Sequence, residues 1–318
     1  MDFKQVIIDG FKILEAKEKQ DGNAFKARAY KTAIESLKAY EGPITSMEDL
    51  IAAKLKGFGK SLMEKAAEVV STGKMARADE VAKDPKTEAM KQLQGVYGIG
   101  PKKAISLVEM NIMNIAALKN AVAANPKLLN DKQHIGLKYA EDISERIPRT
   151  EMDLHFANIK NEAKSFKNLL HIEVVGSYRR GAQDSGDIDV IACVRDGHNT
   201  LSATDIANTF VTKGYIIQEL AAGDKKYMGI CRLPNSKARR IDIMVTNEDE
   251  FPYALLYFTG PDKFNIRMRR EALKQGYTMN EHSMNHKETG EPAPFVARTE
   301  KDVFKFLGMD YKAPIDRE

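Results

Sequence analysis

Gly176-Ser177-Tyr178-Arg179-Arg180-Gly181, followed by Ser185-Gly186-Asp187-Ile188-Asp189-Val190-Ile191-Ala192-Cys193-Val194, decides the fold. The second segment is an apolar run of strand length with acids at its entry. Residues two apart on a strand leave the same face, so Asp187 and Asp189 point one way and Ile188 points into a core. Two carboxylates on one face, with no basic residue between them, repel unless a cation lies between. All-oxygen ligands suit Mg2+. A second apolar run, Arg240-Ile241-Asp242-Ile243-Met244-Val245, carries another acid, and an unpartnered buried acid is expensive. A third metal ligand accounts for Asp242 economically. One acid at a strand end is usually just solvent-facing, but that reading is poor for three acids beside a Gly-Ser/Arg cluster.

Such a trio suits two-metal phosphoryl transfer, where one ion lowers the pKa of an attacking hydroxyl and the other neutralises a triphosphate and its leaving group. Gly176, Ser177 and Arg180 would cradle that triphosphate through backbone N–H, hydroxyl and guanidinium donors. Two Mg2+ ions are expected, with Mn2+ as a substitute.

Outward from this centre, His171–Val175 and Tyr227–Cys231 read as further strands of one sheet, with a helix from Ser202 to Lys213 among them. Strands and helices mixed without a regular βαβ series give an α+β fold. On the N-terminal side, apolar residues recur at helical spacing from Phe3 to about Val81, in four short helices. The polar stretch 82–91, with Pro85, suits a linker or a linker running into the next helix. Helical spacing resumes to about Arg146, and a longer helix is expected from Met152 to Leu169. A last helix is expected from Asn265 to Gln275. Domains of 1–80, 81–148, 149–248 and 249–318 follow.

Two short segments echo each other. Leu55-Lys56-Gly57-Phe58-Gly59 and Val96-Tyr97-Gly98-Ile99-Gly100 both place Gly-x-Gly at the start of a helix. Glycines permit a tight turn and close backbone approach, and the helix start offers free N–H groups to a phosphate. A single copy is more often an ordinary helical turn, but two copies in similar register resemble the helix-hairpin-helix, which grips DNA backbone without reading sequence. Gly59-Lys60-Ser61 ends like a phosphate-binding P-loop, yet Lys54 stands where that motif needs its first glycine.

Composition adds limits. The net charge is +4, concentrated as +5 in residues 1–150 against −1 in the remainder, which favours phosphate binding only slightly. No basic start leads into an apolar run and no stretch is long enough to span a bilayer, so neither secretion nor a membrane partner is expected. Cys193 and Cys231 alone make neither a disulfide framework nor a zinc site.

Taken in order, Gly176–Gly181, Gly186–Asp189, Arg239-Arg240-Ile241-Asp242, Tyr257-Phe258-Thr259-Gly260 and the two hairpins resemble the family X DNA polymerases, most closely the beta type, over nearly the whole chain. The resemblance implies a helical lyase domain, then a polymerase domain with DNA-binding, catalytic palm and nucleotide-selecting parts. It implies filling of short gaps in base excision repair, on gapped or nicked DNA with dNTPs.

By matched position, Asp187 and Asp189 would bind both ions and Asp242 the catalytic one. Ser177, Arg180 and Gly186 would contact the triphosphate. Tyr257, Phe258 and Gly260 would sense the sugar, Asp262 would lie beside the incoming base, and Asn265 and Arg269 would meet the minor-groove side of the new pair. Lys65 would form a Schiff base with the sugar of an abasic site, within a pocket of Lys26 and Tyr30. Gly57, Gly59, Gly98 and Gly100 would grip DNA. The carbonyls of Ala53, Leu55 and Phe58, and of Gln94, Val96 and Ile99, would hold Na+ or K+. A monomer is expected, with a repair ligase or scaffold protein as partner. Residence would be intracellular, nuclear in a eukaryote and otherwise cytoplasmic or viral.

The chain departs from the family pattern at several points. Ser61 stands where a lysine contacts the 5′-phosphate, and Lys60 is the expected substitute. Met244 replaces an arginine that helps to switch a metal-binding acid, and Ile266 replaces a lysine near the templating base. Pro261 replaces serine, and Gly260–Pro261 is predicted to be cis. Two alternatives stay open: a template-independent nucleotidyltransferase, against which Asn265, Arg269 and two hairpins weigh, and a catalytically dead DNA-binding scaffold, against which three retained acids weigh.

Overall fold

The computed structural model of the chain describes residues 1–195 and 201–317. They form two compact units, Met1–Leu137 and Lys138–Glu318.

The first unit is all helical: α1 (Lys4–Gln20), α2 (Ala24–Ala39), α3 (Met47–Ala52), α4 (Lys60–Thr72), α5 (Ala76–Ala82), α6 (Pro85–Gln94), α7 (Pro101–Glu109), α8 (Ile115–Ala124) and α9 (Asp131–Lys138), which reaches the boundary. One apolar cluster joins α1, α2, α4 and α5 through Phe11, Ile34, Leu37, Val69 and Val81. Five helices therefore precede residue 83, where four are expected from the spacing. Gly73, in the left-handed conformation at φ 76°, ends α4, and Ala76 starts a new helix. The stretch 82–91 is a short link, Lys83 and Asp84, running into the next helix. The Asp84 side chain accepts from Lys86 N, Pro85 occupies the first helical position, and α6 begins there.

The second unit runs α10 (Ala140–Ser144), β1 (Ile147–Pro148), α11 (Arg149–Ala163), β2 (Leu169–Val174), α12 (Gly176–Arg179), β3 (Asp184–Ser185), β4 (Ile188–Val194), α13 (Ala203–Thr212), β5 (Ile216–Ala221), β6 (Lys226–Cys231), β7 (Arg239–Thr246), α14 (Phe251–Thr259), α15 (Asp262–Lys274), β8 (Tyr277–Met279), β9 (Met284–His286) and α16 (Glu300–Phe306). The main sheet has the order β2-β4-β7-β6-β5, with β4 and β7 parallel and the other pairs antiparallel.

Alternation sorts the strands into two faces. Ile188, Val190, Ala192, Ile241 and Ile243 pack with Met152 and Ile159 of α11 and Ile206 and Phe210 of α13. The opposite face carries Asp189, Ile191, Arg240 and Asp242, and Ile191 packs there against Ala254 of α14. The sheet is thus covered by α11 and α13 on one side and partly by α14 on the other, leaving the acids at the edge of that second cover.

Three expectations are corrected. The helix expected at 152–169 is α11, which ends at Ala163 because Leu169 is already in β2, paired with Val194. Asp187 precedes β4 and is not on it. The helix expected from Asn265 to Gln275 is α15, which starts at Asp262 and ends at Lys274, and α14 before it and α16 after it were not expected. Gly260–Pro261 is cis. Among the described residues no helix is long and apolar enough to cross a membrane.

Candidate active site

Parallel pairing of β4 with β7 sets Asp189 beside Asp242 as register partners. Gly176, at φ 60°, brings backbone against the first of them: a Cβ there would meet Asp189 Oδ2 at 2.6 Å, so only glycine fits. Burial pushes the Asp189 carboxyl up to about 6, the neighbouring Asp242 charge adds to this, and Lys226 and Arg180 oppose it. Asp242 Oδ2 pairs with Lys226 Nζ at 3.1 Å. Its Oδ1 is buried without a hydrogen-bond partner, and so is Arg240 Nε, 3.8 Å away.

The third acid behaves differently, because Asp187 is engaged by the Arg240 guanidinium. Two acids therefore stand together and the third is turned onto an arginine. Among the described residues no three acid, histidine or cysteine side chains converge as they stand. No basic residue lies between Asp187 and Asp189 in the chain, yet two stand beside the acids in space: Lys226 reaches Asp242 from β6, and Arg240, two residues before Asp242 on β7, reaches Asp187. The donor set still suits a divalent cation. It is all oxygen, one buried carboxylate oxygen has no partner, and a charged neighbour drives the other acid toward protonation.

Beside the acids, α12 follows β2 directly. Ser177 Oγ donates to Ser185 Oγ at 2.9 Å. Arg180 Nη1 donates to the Thr259 carbonyl at 2.6 Å. Its neighbour Arg179 makes two bonds to Glu300, at 3.0 and 2.8 Å, and one to Thr259 Oγ1 at 2.7 Å. Glu300 also accepts from the fully buried Arg317 at 2.8 Å. Arg179 thus ties α12 to α14 and α16, while Arg180 lies nearer Asp189 and Asp262. Gly186 is exposed immediately before Asp187.

Past the cis bond, Asn265 Nδ2 donates to Tyr257 O at 2.7 Å, and Arg269 lies 5.0 Å over the Tyr257 ring. Tyr257 and Phe258 meet edge to face at 4.9 Å. Tyr257, Asn265 and Arg269 line one small crevice. Asp262 stands in the first turn of α15, and Ile266 is 49% exposed on the same helix.

In the first unit the two Gly-x-Gly turns are near copies. Gly57 and Gly98 have φ of 85° and 84°, and a Cβ on them would meet Thr32 Cγ2 at 2.8 Å and Gln133 Cγ at 3.2 Å. Gly59 and Gly100 cap α4 and α7 with extended backbone and open space where a Cβ would be. Leu55 O and Val96 O each accept one bond, from Phe58 N and Ile99 N.

Lys65 lies on α4 with Nζ bonded to Ser61 Oγ at 2.8 Å and Ser61 O at 3.3 Å. Tyr30 is buried against Phe11, which also touches Phe58. Lys26 stands 3.9 Å from Glu18. Sequence reading assigned Ser61 only a lost contact; its i, i+4 spacing from Lys65 is the signal that could have found the bond.

Comparison with known proteins covers most of the chain. Residues 3–75 match a helix-hairpin-helix domain, 91–144 the fingers domain of DNA polymerase lambda, 146–248 the DNA polymerase beta palm and 254–318 the DNA polymerase beta thumb. The chain is 29% identical over 328 residues to DNA polymerase lambda of Rattus norvegicus, covering 98% of this chain and 56% of that protein. It is 28% identical over 316 residues to DNA polymerase lambda of Arabidopsis thaliana, at 93% and 58% coverage. It is 28% identical over 355 residues to a DNA nucleotidylexotransferase of Xenopus laevis, at 99% and 68%. The chain therefore spans little more than half the length of the two lambda relatives.

Proposed function

The chain belongs to the family X DNA polymerases, and on that premise we propose that it fills short gaps in base excision repair by templated nucleotidyl transfer from dNTPs. The observation that carries this reading is the Asp189–Asp242 pair, a desolvated carboxyl beside a buried carboxylate oxygen with no partner. Asp187, Asp189 and Asp242 hold two divalent ions, Mg2+ or Mn2+, which when bound lower the pKa of the primer hydroxyl and neutralise the triphosphate.

The remaining work falls to the protein. Arg180, Ser177 and Gly186 bind and orient the triphosphate. Tyr257, Phe258 and Gly260 exclude the wrong sugar, Asp262 borders the base, and Asn265 and Arg269 test the new pair from the minor groove. Arg240, beside both Asp187 and Asp242, holds Asp187 in reach of the pair. Gly57, Gly59, Gly98 and Gly100 admit the DNA backbone, with Na+ or K+ on the carbonyls of Ala53, Leu55, Phe58, Gln94, Val96 and Ile99. A second centre is a 5′-deoxyribose phosphate lyase, with Lys65 as the Schiff-base amine and Lys26 and Tyr30 around it. We take the division 1–80, 81–148, 149–248 and 249–318 as the functional one. The protein works as a monomer inside the cell, nuclear in a eukaryote and otherwise cytoplasmic or viral, with a repair ligase or scaffold as partner.

Asp242→Ala is expected to abolish nucleotide addition to a gapped duplex and leave DNA binding nearly intact, measured by primer extension and gel shift. Wild-type rates in that variant would remove the metal assignment. Similarity to a nucleotidylexotransferase at the same identity makes the template arm decisive: extension of a lone primer as fast as of a gapped one would favour template-independent synthesis.

A further inference from the structure

We propose that Ser61 is a working part of the Lys65 centre: it holds the amine so that its lone pair faces the incoming sugar aldehyde. The inference rests on the lyase reading above. Ser61 and Lys65 are one turn apart on α4, and Lys65 Nζ reaches both polar atoms of Ser61, the hydroxyl at 2.8 Å and the carbonyl at 3.3 Å. A neutral amine has two hydrogens and one lone pair. With both hydrogens spent on Ser61, the lone pair is the only feature left to turn, and its direction is set by the helix. Fixing a nucleophile in this way removes orientational freedom before the reaction.

A hydroxyl, unlike a basic side chain, can receive this bond. Lysine has three donors and no acceptor, so it could not receive a bond from Lys65 through its side chain. Serine at 61 therefore supplies a contact to the nucleophile in place of one to the 5′-phosphate. Lys60 precedes it as the first residue of α4 and is free to take the phosphate.

The Nζ lone pair forms a bond to C1 of the ring-opened sugar, and the carbonyl π pair moves to oxygen. That oxygen takes a proton from nitrogen through the Ser61 hydroxyl, which accepts one and passes on its own. The carbinolamine then loses the oxygen as water, the second nitrogen proton leaving with it, and the C=N bond closes.

The test uses the full chain and an oligonucleotide with a 5′-deoxyribose phosphate end, with the single-turnover rate of adduct formation read by borohydride trapping. Ser61→Ala is expected to slow trapping about fivefold, the worth of one net hydrogen bond near 25 °C. Ser61→Thr should restore the rate to within about twofold of wild type, since threonine keeps the hydroxyl. Ser61→Lys should be as slow as alanine at saturating DNA. Ser61 is exposed and alanine is the better helix former, so loss through unfolding is ruled out by an unchanged melting curve.

A second readout needs no DNA: reductive methylation by formaldehyde and cyanoborohydride, quantified at Lys65 against Lys60 by peptide mass spectrometry. Ser61→Ala should lower the Lys65 to Lys60 ratio about fivefold, again one net hydrogen bond. If the wild type traps no sugar but its Lys65 methylation depends on Ser61, the lyase reading fails and only the positioning of the amine by Ser61 stands. If Ser61→Ala matches wild type in the methylation ratio, the inference is overturned whatever the trapping result.

Discussion

A carboxyl pushed up to about 6 by burial and by a second acid is a proton store as well as a proposed metal ligand. The sign follows from the direction of the shift. Folded Asp189 keeps its proton up to about 6, whereas an unfolded aspartate loses it near 3.9, so this group favours the folded state below the lower value and loses that contribution as pH rises to the upper one. A cation must displace the same proton. Mn2+ affinity, followed by paramagnetic relaxation, should therefore drop about tenfold per pH unit below 6 and level off above it. Asp242→Asn should move the inflection downward by removing the neighbouring charge, and an unmoved inflection would disprove the coupling. The three acids and the Gly-Ser/Arg cluster were legible in the sequence because strand periodicity and motif order place them. Lys226 beside Asp242 and the reach of Arg240 to Asp187 were not, since side chains from different segments meet only through the register of β6, β7 and β4. The Ser61–Lys65 bond was hidden differently: two polar residues on an exposed helix face look solvated.

Each Gly-x-Gly turn assigns its two glycines separate duties. Gly57 needs its positive φ and has Thr32 where a Cβ would be, while Gly59 has neither constraint. Gly57→Ala should cost about 1–3 kcal/mol of stability, the scale of a strained non-glycine backbone, measured by urea denaturation. Gly59→Ala and Gly100→Ala should fold like wild type yet bind duplex DNA more weakly, because the methyl group occupies space open to the phosphate backbone. Equal binding by Gly59→Ala would argue against that approach. At the junction of α12, α14 and α16, Glu300 receives both Arg179 and Arg317 and is held below the usual carboxylate range by their hydrogen bonds despite its burial. Glu300→Ala should cost about 3–5 kcal/mol, since Arg317 would keep a buried charge without a partner. The elements themselves were partly legible. Strands β4, β6 and β7 follow from apolar runs, whereas α14 hides its helix in aromatic residues and α5 hides behind Gly73.

The described residues form two compact units with separate apolar clusters, one joining α1 to α5 in the first unit and one on the five-stranded sheet of the second. Separate cores make unfolding divisible. Leu37→Ala should lower only a transition of the first unit and Phe210→Ala only one of the second, each by about 2–5 kcal/mol as for other fully buried large side chains. Calorimetry with unit-specific hydrogen exchange reads both, and a single shared transition displaced equally by either variant would show the units to be one cooperative body. The sequence marks a boundary near residue 80 from a polar stretch, and the apolar cluster of the first five helices does end at Val81, while the division into two compact units falls at Leu137.

The paired turns at Gly57 and Gly98, alike in backbone to within a degree of φ, belong to the same compact unit. With each turn gripping DNA backbone as proposed, two grips on one body act as a bivalent clasp. A strand that slips from one is still tethered at high effective concentration to the other, so the dwell time on DNA scales as a product of two modest affinities. Blunting either turn should therefore shorten residence far more than a loss of half the contacts suggests, and the repeat is worth most where a polymerase must wait at a gap for its next substrate.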